Sequence, residues 1–510
     1  PTSAWIVGRR QTVFEVPSSK LEQLPAGEQL LSRRQTALEL LGSMAMPTAA
    51  EEIWRYSRID ELDPRGYQPV LDPPRIAGTG EQTELNMAGG TEPFLAYPEA
   101  SEWLKAQMGA HGAWLGIQPW SAVAVTVDGW PILLPRASSL PRGLRVSSLS
   151  RDPGGFSPSG DEGLGDLDYF GVLNEALSPD PVVVGTVALR RTSQDTAVRA
   201  DNGPVSVLVV HLSSRSLRVP AHAPSAPAGR SPSDSRVAFP TDSPRRPLGV
   251  VCPRVTIEAG EDTSLQVVEL FLGRYGLLAP VTLARLAPRA SLGYLALHAT
   301  QADWEIAYQD SKAAQESSLV SMTSVLSGTF SRVRTDCSLE GEFASSKLLA
   351  LYGAAGSDMV DLRTLQRHCA PHTVSDLLYV GAVAEQSQAV YSGLIRVEKG
   401  ARKADALQTN RNLVLSSGAR ADSVPNLEIE ENDVRCSHAS ALGPMDPDQL
   451  WYLQTRGVPP WRAQRLIIEG FYETASRECP VGGASGLLRE ALVTRVSGSS
   501  ENEAAKEEAS

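Results

Sequence analysis

The sequence predicts a mainly β protein with helical regions at both ends, and three observations carry that prediction. Leucines at helical spacing mark the first hundred or so residues, short β-branched runs fill residues 182–435, and a capped helical pair follows them. The β runs are brief and divided by Gly, Asn, Asp and Ser, which points to an all-β solenoid, sandwich or barrel.

The N-terminal region, residues 1–120, reads as a helical domain. "SSKLEQLPAGEQLLSRRQTALELLGSM" carries leucines at helical spacing, and "PTAAEEIWRYSRIDEL" opens with Pro47 and Thr48 before acidic residues, as a helix N-terminus does. Next, "SAVAVTVDGWPILLP" joins two apolar runs through Asp128 and Gly129, the pair a two-residue hairpin turn prefers.

The β core is expected over residues 121–445. Runs such as "VVVGTVAL", "VSVLVVHL", "LQVVELFL", "LLYVGAV", "YSGLIRV", "NLVLS" and "NLEIE" recur at uneven spacing, and Leu394, Leu413 and Leu427 are set at unequal intervals. That irregularity fits a solenoid without choosing it over a sandwich. Residues 213–248 are largely Ser, Pro, Ala and Arg, too poor in large apolar side chains to offset the entropy of ordering them, and are expected to form a disordered insertion. A disordered tail is expected over 491–510 by the same reasoning.

Between core and tail, residues 446–490 read as a helical hairpin. Asp446 is placed as N-cap, Pro447 at the first helical position, Gln449 at the capping-box position and Gly457 at the stop. The second helix puts Ala463, Leu466, Ile467 and Phe471 on one face. Such a hairpin must bury its apolar stripe on the end of the β core or on another protein. Asp446, Leu450, Trp451, Leu453, Leu466, Ile467 and Phe471 are therefore the candidate partner-binding residues. The aromatics Trp451, Tyr452, Trp461, Phe471 and Tyr472 read as packing rather than as a cofactor box.

Composition excludes several functions. The chain has 47 Lys and Arg against 59 Asp and Glu, a net charge of −12, with no long basic block, which argues against nucleic acid or an anionic membrane as main partner. Five scattered cysteines without a C-x-x-C indicate a reduced compartment rather than a disulfide framework. The first residues show no basic stretch followed by an apolar one, and no 18 apolar residues run together. A cytoplasmic protein is expected, or one of an organelle stroma if a presequence has been removed. No phosphate-binding loop, G-x-S-x-G elbow or H-E-x-x-H motif occurs. The chain is thus expected to be non-catalytic and to bind no nucleotide, with any ATP hydrolysis supplied by a partner.

Two clusters offer metal-ligating chemistry. His368, Cys369 and His372 lie close together in sequence, but a structural zinc site needs a fourth ligand that is not obvious nearby, and a turn role is favoured. In "VRCSH", Cys436 and His438 share a strand face, because side chains alternate with period two. Thiolate and imidazole suit iron and Fe–S clusters, yet two ligands hold no cluster alone, and on chemistry a small buried cysteine beside a hydrogen-bonded histidine remains the simpler reading. The acidic run with Glu428, Glu430 and Glu431 reads as a solvated strand face.

Residues 393–472, from "GLIRVEKG" to "IIEGFY", carry "QTNRNLVLS", "P-x-L-E-I", "D-V-x-C-S-H", "L-x-x-L-x-x-R-G" and "A-x-x-L-I-x-x-G-F" in one order. This stretch resembles the C-terminal signature of the SufB/SufD family of iron–sulfur cluster assembly proteins. Weaker echoes are "EEIWRYSRIDEL", "FGVLNEAL" and "RHCAPHTVSDLLYVG"; residues 57–120 and 213–248 are not covered. The chain resembles the SufD branch, because Asn410 stands where SufB-type proteins carry a cluster-building cysteine. It departs from the commonest pattern in "HASALG", where glycine-alanine-threonine usually follows the histidine.

The resemblance implies a right-handed parallel β-helix core flanked by helical domains. It implies pairing of that β-helix with a SufB-like paralogue, docking of a SufC-like ATPase on the C-terminal helices, and a possible homodimer without SufB. The family's functional histidine falls on His438, with Cys436 on a neighbouring family cysteine, so that iron or a nascent Fe–S cluster would be held transiently and shared with the partner. Two alternatives stay beside this one: a SufB-like scaffold that builds clusters alone, against which Asn410 argues, and a polysaccharide-acting β-helix enzyme, for which clustered acids and a secretion signal would be needed.

Overall fold

A computed structural model describes residues 14, 18–21, 24–25, 28–74, 101–151, 167–187, 204–217 and 248–497. Helices α1 (Ser18–Leu21) and α2 (Glu28–Ser43) are followed by three short 3-10 turns and the strand β1 (Tyr67–Pro69). Helix α3 (Ser101–Met108) leads to the hairpin of β2 (Ala122–Val127) and β3 (Trp130–Leu133). Asp128 and Gly129 take φ of 50° and 83°, the two left-handed residues a type I′ turn requires, and Val127 faces Trp130 across the antiparallel pair. The N-terminal region is not purely helical: β1 joins the core as a parallel neighbour of β7 (Leu248–Val251).

Strands β4 (Leu144–Ser148), β5 (Val182–Thr186), β6 (Val205–Leu212) and β8 (Arg254–Ala259), with helix α4 (Tyr169–Leu177), start the solenoid. It continues through β9 (Ser264–Leu278), β10 (Val281–Leu286), β11 (Ser291–Ala313), β12 (Ser318–Ser327) and β13 (Phe330–Leu339). The later coils are regular: β14 (Ser345–Ala354), β15 (Met359–His368), β16 (Val374–Val383), β17 (Gln388–Val397), β18 (Asp405–Val414), β19 (Arg420–Ile429) and β20 (Arg435–Pro444). Even-numbered strands from β12 to β20 form one parallel face and odd-numbered strands from β13 to β19 the other. The long β11 serves both, its first half pairing with β12 and its second with β13. Ser345, Val374, Asp405 and Arg435 are successive ladder partners, each one coil further along the chain than the last.

One turn of each coil is built from a non-glycine residue in the left-handed region: Asp262, Arg289, Glu316, Phe343, His372 and Lys403, with φ between 56° and 61°. These residues line up coil over coil. The Arg289 guanidinium bonds Asp262 of the coil below at 2.7 Å, and His372 stacks on Phe343 with centroids 5.0 Å apart. The interior is apolar with polar layers. Its core includes Val267, Leu292, Leu319, Leu348 and Leu377, and Tyr352 lies so close to Gly381 that a Cβ there would fall 1.9 Å from the ring.

The C-terminal region holds three helices: α5 (Pro447–Thr455), α6 (Pro460–Ser476) and α7 (Ala484–Ser497). The Asp446 carboxylate accepts from the Asp448 N–H at 2.9 Å, Pro447 starts α5, and Gly457 (φ 83°) stops it, as the local chemistry predicts. The expected face of α6 is corrected. Ala463, Ile468, Tyr472 and Ala475 are buried, whereas Leu466 is exposed and Ile467 and Phe471 are half-buried. The rotation is pinned by the Tyr472 hydroxyl, which donates to the Tyr352 carbonyl at 2.7 Å. The expected tail boundary at 491 is also corrected, since Leu488, Leu492, Val493 and Val496 hold α7 in an apolar cluster with the solenoid as far as Ser497. Of the expected insertion at 213–248, residues 218–247 lie outside the described residues, while Ser214–Ser216 form a 3-10 turn and Leu248 begins β7. Residues 498–510 of the expected tail also lie outside them.

Candidate functional site

Among the described residues, the solenoid ends without a cap. There β20 pairs only with β18 and β19 only with β17, so each leaves one edge of a ten-residue strand unpaired. Such an edge presents a row of backbone donors and acceptors ready to template another strand. Two large apolar side chains are exposed on these strands, Leu442 on β20 and Ile429 on β19.

Cys436 and His438 lie on this last coil. Their ladder partners are Ala406 and Gln408, both buried in the interior of β18, so Cys436 and His438 occupy inward-facing positions. No further coil covers them among the described residues: His438 is exposed and Cys436 half-buried. The same-face placement expected from period two is therefore present, and the exposure comes from their position at the open end. Cys436 also touches the rim of a small cluster of Ile395, Val397, Ala401, Ala404 and Ala406. Burial, with a smaller contribution from the Asp405 carboxylate, pushes its thiol pKa up. A cation arriving beside the sulfur would reverse that shift, because the thiolate is the form that ligates.

Asn410, two positions further along β18, is buried and fully engaged. Its amide donates to the Tyr352 hydroxyl at 3.0 Å and its carbonyl oxygen accepts from the Asn412 amide at 2.7 Å. The position that resembles a cysteine site in SufB-type proteins is thus occupied here by a structural amide.

His368, Cys369 and His372 do not converge. The His368 imidazole is buried between the Thr373 and Ser375 hydroxyls, each at 2.8 Å, and burial lowers its pKa to about 4. His372 is the left-handed turn residue stacked on Phe343, and burial pushes the Cys369 thiol up to about 11. Among the described residues no three His, Cys, Asp or Glu side chains form a metal-binding group. Of the acidic run, Glu428 pairs with Arg396 across neighbouring coils, and Glu431 accepts the backbone N–H groups of Gly400 and Asn432.

Of the candidate partner-binding residues, Trp451 is 66% exposed, Leu466 is exposed, and Leu450, Leu453, Ile467 and Phe471 are half-buried. Helix α5 buries no residue at all. These side chains leave an apolar face of α5 and α6 open to solvent. A cavity of about 310 Å³, unforeseen from the sequence, lies on the outer face of the sheet that runs from β8 and β10 into the odd-numbered strands, where Asp310 and Asp336 sit side by side among Arg254, Lys312, Arg334 and Arg367. Only the pairing of coils brings those residues together, so no local signal reveals it.

Residues 241–471, ending within α6, match the family described as SUF system FeS cluster assembly, SufBD core domain. Over these residues the chain carries a core domain of the SufB/SufD family. The SufBD core therefore takes in every regular coil, the Cys436–His438 end, helix α5 and most of α6. Among curated proteins, the chain is similar to an iron–sulfur cluster assembly SufBD family protein of Mycobacterium bovis, 35% identical over 34% of this chain and 46% of that protein. It is similar to the iron–sulfur cluster assembly protein SufD of Escherichia coli, 33% identical over 32% of this chain and 39% of that one. It is also similar to the chloroplastic protein ABCI7 of Arabidopsis thaliana, 28% identical over 45% of this chain and 50% of that one. The matches thus span half or less of the length of these relatives. No helix among the described residues is long and apolar enough to cross a membrane.

Proposed function

We propose that this chain is a SufD-like, non-catalytic scaffold subunit of an iron–sulfur cluster assembly complex of the cytoplasm or an organelle stroma. The observation that carries the proposal is the uncapped last coil, which offers two unpaired strand edges, exposed Leu442 and Ile429, and inward-facing His438 and Cys436 on one surface. A second solenoid with the same coil geometry, from a SufB-like subunit, would continue the sheets by edge pairing and cover the apolar side chains. His438 and Cys436 would then lie at the seam. Imidazole nitrogen and thiolate are ligands for iron, and the remaining positions of a four-ligand cluster site would come from the partner. Iron and sulfide are cargo here rather than resident cofactors.

The exposed faces of α5 and α6 are assigned to a SufC-like ATPase. Helix α6 is packed on the solenoid through Ile468, Tyr472 and Ala475, so a movement imposed on the helices would be transmitted to the core. Asn410 speaks against the alternative of a stand-alone scaffold.

The test is co-expression with the SufB-like and SufC-like partners. Leu442→Glu places a charge on the open end, at a half-exposed position above Asn412 of the coil beneath. Loss of the paired solenoids on size-exclusion chromatography, with an unchanged melting temperature for the isolated chain, is the expected result; an intact complex would overturn the assignment of this surface. Anaerobic reconstitution of the isolated chain separates the alternative, since a stable cluster on this chain alone would favour it.

A further inference from the structure

Strand β18 carries three interior amides, and they are not equivalent. Asn410 and Asn412 are tied to each other and to the Tyr352 hydroxyl. Gln408 is 0% exposed, yet neither its Oε1 nor its Nε2 has a hydrogen-bond partner among the described residues. An amide buried without a partner is costly, and replacement by an apolar residue of similar size would remove that cost. Gly393 on β17 leaves room there, since a Cβ would fall 2.2 Å from the Tyr391 hydroxyl and 2.4 Å from the Gln408 Nε2. A second orphan, the buried Ser423 hydroxyl, lies on β19 of the same last coils.

What stands above Gln408 is His438, its ladder partner on β20. Neighbouring strands lie about 4.8 Å apart, so side chains of this length at paired positions can reach each other by a change of rotamer, although no hydrogen bond joins these two in this structure. A metal-binding imidazole uses one ring nitrogen as ligand and donates the N–H of the other, and the acceptor of that N–H decides which nitrogen meets the metal.

We propose that Gln408 is a positioning residue for His438, its idle carbonyl oxygen accepting one ring N–H so that the other nitrogen, carrying the lone pair, is directed outward to iron at the open end. This rests on the reading of His438 as a ligand given above. It explains why the last covered coil retains an unsatisfied amide directly beneath the histidine while the amides beside it are paired.

The test uses the full chain labelled with nitrogen-15 histidine, with the His438 ring signals identified by their loss in His438→Ala. In the unsubstituted protein the His438 ring nitrogens should report one fixed tautomer. Gln408→Leu, and Gln408→Met as a second variant should the first fail to fold, should move both signals toward the values of a tautomer mixture. Ferrous iron affinity of the co-purified complex should fall roughly 10–100-fold in the same variants. Gln408→Glu, which keeps an acceptor, should retain the tautomer. Unchanged ring shifts in a folded Gln408→Leu or Gln408→Met protein would overturn the proposal. Should the tautomer respond to Gln408 while His438→Ala leaves iron binding intact, the hydrogen bond stands and the ligand reading of His438 falls.

Discussion

The Arg332 guanidinium lies over the Trp54 indole, 3.8 Å from the ring centroid, and ties the N-terminal segment to the solenoid. The same side chain donates to the Ile53 carbonyl at 2.6 Å and pairs with Asp361 at 2.6 Å, while Arg363 bridges Asp361 and the Arg55 carbonyl. Arg332, Arg363 and Asp361 are all buried, so one carboxylate is shared by two guanidinium groups away from solvent. Removing one partner of a buried ion pair leaves uncompensated charge and costs about 3–5 kcal/mol. Asp361→Ala should lower stability by that amount in urea unfolding, and Trp54→Ala by about 3–5 kcal/mol through lost packing.

His368 makes stability depend on acid. Its pKa falls from 6.5 in the unfolded chain to about 4 in the folded one, because burial disfavours the imidazolium. Between these values the unfolded chain binds the proton and the folded chain does not. Stability is therefore full above about pH 6.5 and is lost as pH falls through 4, by on the order of 3 kcal/mol. His368→Gln, which can still bond Thr373 and Ser375, should flatten the melting temperature over this range.

Asp310 works in the opposite direction. Burial, then the neighbouring Asp336 charge, push its carboxyl from 3.8 up to about 7. The folded chain holds the proton where the unfolded chain has lost it, so this contribution is present below about pH 4 and disappears as pH rises through 7. Asp310→Asn should melt above the unsubstituted protein at pH 8 and together with it near pH 4.

Local chemistry was legible in the sequence where a few adjacent residues decide the backbone, as at Asp128–Gly129 and at Asp446, Pro447 and Gly457. The coil repeat was not, because each strand finds its partner a full coil away, as Ser345 finds Val374 and Val374 finds Asp405. The leucines that suggested irregular spacing occupy unlike positions: Leu413 packs in the cluster that takes in the C-terminal helices and Leu427 against the last interior cluster. Nor did glycine mark the left-handed turns, since Arg289, Glu316, Phe343 and His372 fill them. At the candidate site, period two placed Cys436 and His438 on one face correctly. Their exposure depends on the open end of the solenoid, and the idle Gln408 amide depends on a ladder partner one coil further on. The buried face of helix α6 is rotated from the expected one, because the Tyr472 bond to Tyr352 sets it.

The most direct test of His438 as a ligand at a shared seam is cluster formation by the co-expressed three-protein complex carrying His438→Ala, followed by visible absorption and by iron content per complex. The substitution removes an exposed side chain, so assembly of the three chains and the melting temperature should be unchanged while cluster content falls roughly tenfold or more. An assembled complex that forms clusters undiminished without His438 would contradict the proposed function of this site.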